Sequence, residues 1–125
     1  MIVREALVSD PRVLQGDASA REAAELLTRP HVESALVADG ARLLGCVTKD
    51  SIVAAVARGL DVGTATARDV CESDVTTVAP EMPLDEALHL MADRDLERLP
   101  VIEDGRLLGV LPREPAARRL AEDQP

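Results

Sequence analysis

The chain has 125 residues, is 46% hydrophobic, carries a formal net charge of −9 and contains no Phe, Tyr or Trp. That length accommodates one compact domain or two half-domains sharing a core, and the apolar fraction excludes wholesale disorder. The acidic balance opposes binding to a phosphate backbone, and without aromatic rings there is no stacking platform for single-stranded nucleic acid. No apolar run approaches the roughly 20 residues of a membrane span. Met1-Ile2-Val3-Arg4-Glu5 lacks the basic start and apolar stretch of a signal peptide, so the cytoplasm is the expected compartment. Cys46 and Cys71 have neither a CxxC spacing nor a neighbouring His, and are expected to be small buried residues rather than a zinc site or redox pair.

In chain order, Val3 to Leu7 reads as a helical turn broken at Ser9-Asp10-Pro11, followed by a short strand at Arg12-Val13-Leu14. Ser19 and Glu22 have the spacing of a capping box. They open a helix with Ala23, Ala24, Leu26 and Leu27 on its apolar face, stopped by Pro30. Ser34 to Ala38 is a buried strand, Asp39-Gly40 a hairpin turn, and Arg42 to Val47 the returning strand. Thr48 or Asp50 caps a second helix through Ile52, Val53 and Val56 that stops near Gly59. The order then recurs. Ala67 to Cys71 is a turn, Thr76-Thr77-Val78 a strand, and Pro83 the first position of a helix with Leu84, Ala87, Leu88 and Met91 inward. Arg98 to Ile102 is a strand turned by Asp104-Gly105, Arg106 to Leu111 its partner, and Ala116 to Ala121 a short last helix. Residues 122–125 are expected to fray.

Sliding the chain on itself by the spacing from Gly45 to Gly109 (109 − 45 = 64 residues) aligns almost everything without a gap. Arg42-Leu43-Leu44-Gly45 recurs as Arg106-Leu107-Leu108-Gly109, and Arg4/Arg68, Glu22/Glu86, Glu33/Glu97 and Val37/Val101 match. The chain is a tandem repeat. Repeat one is read as residues 1–59, the connector as 60–65 and repeat two as 66–122. Each is a β-α-β-β-α unit too small to bury much alone, so the expected α/β (α+β) fold packs two three-stranded sheets about a pseudo-two-fold axis.

The Pro83-Leu84-Asp85-Glu86-Ala87 helix start, the Arg98-Leu99-Pro100-Val101 strand and the Gly45-Cys46-Val47-Thr48 turn resemble a tandem pair of cystathionine β-synthase (CBS) domains, also called a Bateman module. The likeness runs from about Val3 to Leu120 and is closest to small stand-alone bacterial CBS-pair proteins. It implies a sensor that binds AMP, ADP, ATP or S-adenosylmethionine between the copies, signals to a partner protein and forms a homodimer through its helices. The family turn reads Gly-apolar-apolar-Thr-x-x-Asp, its threonine and aspartate holding the ribose, with phosphate met by a basic residue at the strand start of the other copy.

Carried onto this chain, the resemblance assigns Cys46, Thr48, Asp50 and Ser51 to one site. Val75, Thr76, Leu96 and Pro100 would line the base, and Arg98 would meet phosphate. Ser51 stands where the family has aspartate. In the second turn Pro112 and Pro115 replace both ribose ligands, and Ser34 occupies the phosphate position, so no second site is expected. Blander roles compete: Thr48 as a helix cap, Arg98 paired with Glu97 or Asp95, His31 and His89 on solvated faces, and the charge clusters around residues 93–95 and 114–119 as solvated surface. No catalytic triad, carboxylate pair or phosphate loop is present, so no enzymatic activity is expected. The competing functions are an interaction module whose sites have decayed and a thiol-based redox or metal responder.

Overall fold

The computed structural model describes residues 1–10 and 12–123. The Pro11 part of the expected break and the terminal Gln124 and Pro125 lie outside the described residues. The chain divides into two compact units, Pro11–Val75 and a discontinuous one of Met1–Asp10 with Thr76–Pro125. The opening segment of each repeat is therefore built into the unit formed by the rest of the other.

The first unit contains β1 (Leu14–Gln15), α1 (Ala20–Leu27), β2 (Ser34–Asp39), β3 (Arg42–Thr48), α2 (Lys49–Ala57) and α3 (Ala67–Val70). Its strand order is β1-β2-β3, with β1 parallel and β3 antiparallel to β2. Its core gathers Ala23, Leu26, Leu27, Val37, Val47, Ala55 and Val70. Ser19 caps α1 by accepting from the Glu22 N–H at 3.0 Å. The expected strand at residues 12–14 starts two residues later and ends one later, because Leu14 and Gln15 are the residues that meet Val37 and Ala38. The expected Asp39-Gly40 turn also moves by one: Asp39 pairs with Arg42, leaving Gly40-Ala41 as the two-residue connection, with Gly40 at φ +61°.

The second unit opens with a 3-10 turn (Val3–Glu5) and continues with α4 (Leu84–Asp93), β4 (Arg98–Glu103), β5 (Arg106–Pro112) and α5 (Arg113–Asp123). Val3, Leu84, Ala87, Met91, Leu99, Val101 and Leu111 form its core. The expected strand at residues 76–78 reduces to one parallel bridge, Val78 with Val101, because only Val78 meets the β4 backbone: its N–H reaches Pro100 O and its carbonyl accepts from Ile102. Pro83 is the residue before α4 rather than its first. The last helix starts three residues earlier than Ala116 and holds Glu122 and Asp123. Pro115 sits in its first turn, where a missing N–H costs no helical hydrogen bond.

The 64-residue repeat is reproduced in the finest details of both hairpins. Each register slips at the same place, between Val37 and Ala38 and between Val101 and Ile102. Leu44 and Leu108 are thus bulged residues. The glycine that follows each bulge lies against a crossing backbone. Cys46 and Glu72 exchange both backbone hydrogen bonds at 2.9 Å, and Val8 and Val110 do the same at 2.9 and 2.8 Å. A Cβ on Gly45 would stand 2.2 Å from Glu72 O, and one on Gly109 would stand 2.4 Å from Val8 O. Arg4 adds ion pairs to Glu81 and Glu103, and the equivalent Arg68 lies 3.6 Å from Asp39. Gly45→Ala and Gly109→Ala are each expected to cost about 1–3 kcal/mol by overpacking. Gly40→Ala meets open space and only the positive φ opposes it. Urea denaturation of the three variants should place Gly40→Ala nearest wild type.

Candidate functional site

The candidate residues fall on two pieces of chain. Cys46, Thr48, Asp50, Ser51 and Val75 belong to the first unit, and Thr76, Leu96, Arg98 and Pro100 to the second.

In the first unit, β3 runs directly into α2, and Thr48 is the cap at the junction. Its Oγ1 accepts from the Ser51 N–H at 3.0 Å. Ser51 Oγ accepts from the Thr48 N–H at 2.8 Å and donates to the Thr48 carbonyl at 3.0 Å. This is a complete capping box, with Ser51 in the role usually taken by Glu or Gln. Ser51 is only 2% exposed. Its hydroxyl proton is committed to a main-chain carbonyl, so Ser51 replaces the family's aspartate in position without replacing its chemistry. Thr48 keeps its own hydroxyl proton for a further acceptor. Asp50 is exposed in the first turn of α2, where the helix N-terminus favours a carboxylate.

Cys46 and Cys71 are free and half-buried. Cys71 Sγ lies 3.1 Å from where a Gly45 Cβ would be, on that face of β3. Successive side chains alternate across a strand, so Cys46 projects from the other face. The two sulfurs are not arranged as a disulfide pair. Burial pushes both thiols above their ordinary value, which disfavours the thiolate. Among the described residues no three His, Cys, Asp or Glu side chains group as a metal site.

In the second unit, Leu96 packs on the core and Pro100 is buried within β4, its carbonyl accepting from Val78. Thr76 Oγ1 accepts from Arg94 Nη1 at 2.9 Å. Arg98 opens β4 with its Nε buried and without a hydrogen-bond partner. The blander pairing of Arg98 with Asp95 or Glu97 is replaced by another: Arg113 Nη1 lies 3.5 Å from Glu97 and 4.0 Å from Asp95. Arg94 and Arg113 went unrecognised from sequence. The available signal for Arg113 was the repeat itself, which sets Glu33 with Lys49 and Glu97 with Arg113 at matched positions.

A separate apolar groove of about 230 Å³ runs between α1 and α2, lined by Ala24, Leu27, Thr28, Lys49, Ile52 and Val53. It is smaller than the roughly 300–1,000 Å³ of small-molecule sites and lacks their convergent polar groups.

Two β-α-β-β-α repeats, each with a bulged hairpin, a glycine crossing and a helix started at the strand end, define a paired α/β module. The CBS-domain family model matches residues 3–58 and again 67–114, and the chain belongs to that family. Hypoxic response protein 1 of Mycobacterium tuberculosis is 34% identical over 85 residues, 67% of this chain and 59% of that protein. The chain therefore spans less than two thirds of that relative. A solved structure of Hypoxic Response Protein I with two coordinated zinc ions is 25% identical, with a TM-score of 0.77 over 95% of this chain and 98% of that one. CBSX2 in complex with AMP is also 25% identical, with a TM-score of 0.76 over 98% of this chain and 97% of that one. The CBS pair of protein MJ0100, solved with methylthioadenosine and S-adenosylmethionine, shares the fold at 22% identity, with a TM-score of 0.68 over 99% and 98% of the two chains.

The raised thiols carry a sign. Unfolded thiols ionise from roughly pH 8.5, whereas the native ones hold their protons. Their contribution to stability is complete below that pH and is lost as pH rises through it toward the raised native values. Urea midpoints should fall through this range, and less so in Cys46→Ser.

Proposed function

We propose that the chain is a regulatory CBS pair that binds an adenosyl ligand (AMP, ADP, ATP or S-adenosylmethionine) and passes its occupancy to a partner protein, with no catalysis of its own. The observation that carries this reading is the buried, unpartnered Nε of Arg98. A guanidinium held without a carboxylate, in a chain of net charge −9, is suited to an incoming phosphate or carboxylate. Thr48 offers a free hydroxyl proton and Asp50 an exposed carboxylate for the ribose diol. The resemblance further assigns ligand contacts to Cys46 and Val75 of the first unit and to Thr76, Leu96 and Pro100 of the second. The complexes of CBSX2 with AMP and of MJ0100 with S-adenosylmethionine support the ligand class.

Calorimetric titration tests it. AMP or S-adenosylmethionine should evolve heat, and Arg98→Ala should weaken AMP about tenfold or more, since hydrogen bonds to a charged group contribute about 1.5–3 kcal/mol. Thr48→Ala should weaken it less and also cost about 1 kcal/mol of fold stability through loss of the cap. No heat with any of the four ligands contradicts the sensor.

One observation favours the second reading, an interaction module with decayed sites: the Ser51 hydroxyl is consumed by its own helix cap. In either case a homodimer is expected. The α1–α2 groove and the exposed Val53 and Val56 beside it form an apolar face suited to a second copy. Sedimentation at micromolar concentration should give twice the 13.3 kDa chain mass, and Val53→Glu should return it to monomer.

A further inference from the structure

Antiparallel pairing sets Arg98 opposite Pro112. Proline carries no polar side chain, so the residue facing Arg98 across the hairpin offers its guanidinium, which only donates, no side-chain acceptor. One step outward, Arg113 engages Glu97 twice. Its N–H reaches the Glu97 carbonyl at 2.8 Å, and its Nη1 lies 3.5 Å from the Glu97 carboxylate. The same Nη1 lies 4.0 Å from Asp95. Both acidic residues nearest Arg98 in sequence are thus turned toward Arg113. Arg94 is also kept from them, donating to the Thr76 hydroxyl.

We propose that Pro112-Arg113 is a charge-sorting step: Arg113 holds Asp95 and Glu97 away from Arg98 while Pro112 withholds a neutral partner, leaving Arg98 free for the phosphate of a nucleoside monophosphate. Arg113 is a positioning residue and touches no ligand. The second turn has lost the family's ribose chemistry but serves the phosphate end of the ligand from within the same unit as Arg98. This inference rests on the ligand-binding reading above. The pairs are exposed, Glu97 at 72% and Asp95 at 98% of their side chains. Arrangements of this kind change affinity modestly and respond to salt.

The test compares AMP with methylthioadenosine, which keeps the nucleoside but has no phosphate, on the full chain. Arg113→Gln is expected to weaken AMP about two- to fivefold and leave methylthioadenosine unchanged. Adding Glu97→Gln should restore AMP, and Arg113→Lys should bind AMP as wild type does. Pro112→Thr, which sets a hydroxyl opposite Arg98, should weaken AMP selectively. The Arg113→Gln loss should shrink toward about 1 M salt, where the Debye length falls to about 3 Å. Equal losses for both nucleosides, or no loss for either, would overturn the charge-sorting role alone. A wild-type chain that binds neither nucleoside overturns the ligand reading and this inference with it.

Discussion

Two backbone crossings hold this fold together, and both require glycine. At Gly45 the chain of residue 72 passes where a side chain would begin, and at Gly109 the chain of residue 8 does the same. Each crossing is closed by a reciprocal pair of backbone hydrogen bonds, Cys46 with Glu72 and Val110 with Val8. The opening segment of each repeat is thereby locked into the unit of the other repeat. The second unit cannot be assembled from one continuous piece of chain: Val3 is fully buried in its core, and Met1 supplies the carbonyl that accepts from the Leu84 N–H. The repeated ion pairs of Arg4 and Arg68 add to this attachment, although exposed pairs contribute little individually.

The crossings also fix where the candidate turns begin. The bulge at Leu44 and the glycine at 45 aim the end of β3 so that Thr48 starts α2. The matching bulge at Leu108 precedes Pro112 and Arg113 at the start of α5. From this common scaffold the two turns diverge. Thr48 and Ser51 close on each other, strengthening the helix start and committing the Ser51 hydroxyl. In the other hairpin, Pro112 caps nothing, and its failure to partner Arg98 leaves a guanidinium nitrogen buried without a hydrogen bond. Such a group costs stability and is unusual in native proteins. That makes it the best physical argument that ligand chemistry survives in this chain.

Much of the fold was legible because the repeat doubles every signal. The gapless 64-residue match, the Ser19 and Thr48 caps and the Asp104-Gly105 turn all give local chemistry that a sequence displays. The misplacements share a cause: they occur where partners outside the local segment decide. Leu14–Gln15 is a strand because Val37 and Ala38 lie beside it, and Val78 alone pairs because only it meets β4. Within the candidate site, the capping role of Thr48 was visible from its place at the strand end, and the closed hydrogen-bond pair with Ser51 bears it out. Arg113 was hidden because its partners, Glu97 and Asp95, come from the loop between α4 and β4.

The sequence by itself determined the repeat, the hairpins, the helix starts and the prolines at 112 and 115 that answer to Thr48 and Ser51. Each is written in residue type and spacing within a few positions. Only the tertiary structure decided which segment joins which unit, that Gly45 and Gly109 are crossing points, and that the Nε of Arg98 is buried without a hydrogen-bond partner. The physical reason is that backbone crossings and charge pairing depend on groups brought together from distant parts of the chain. Glu72 meets Cys46, and Val8 meets Val110, across loops whose closure no local pattern encodes.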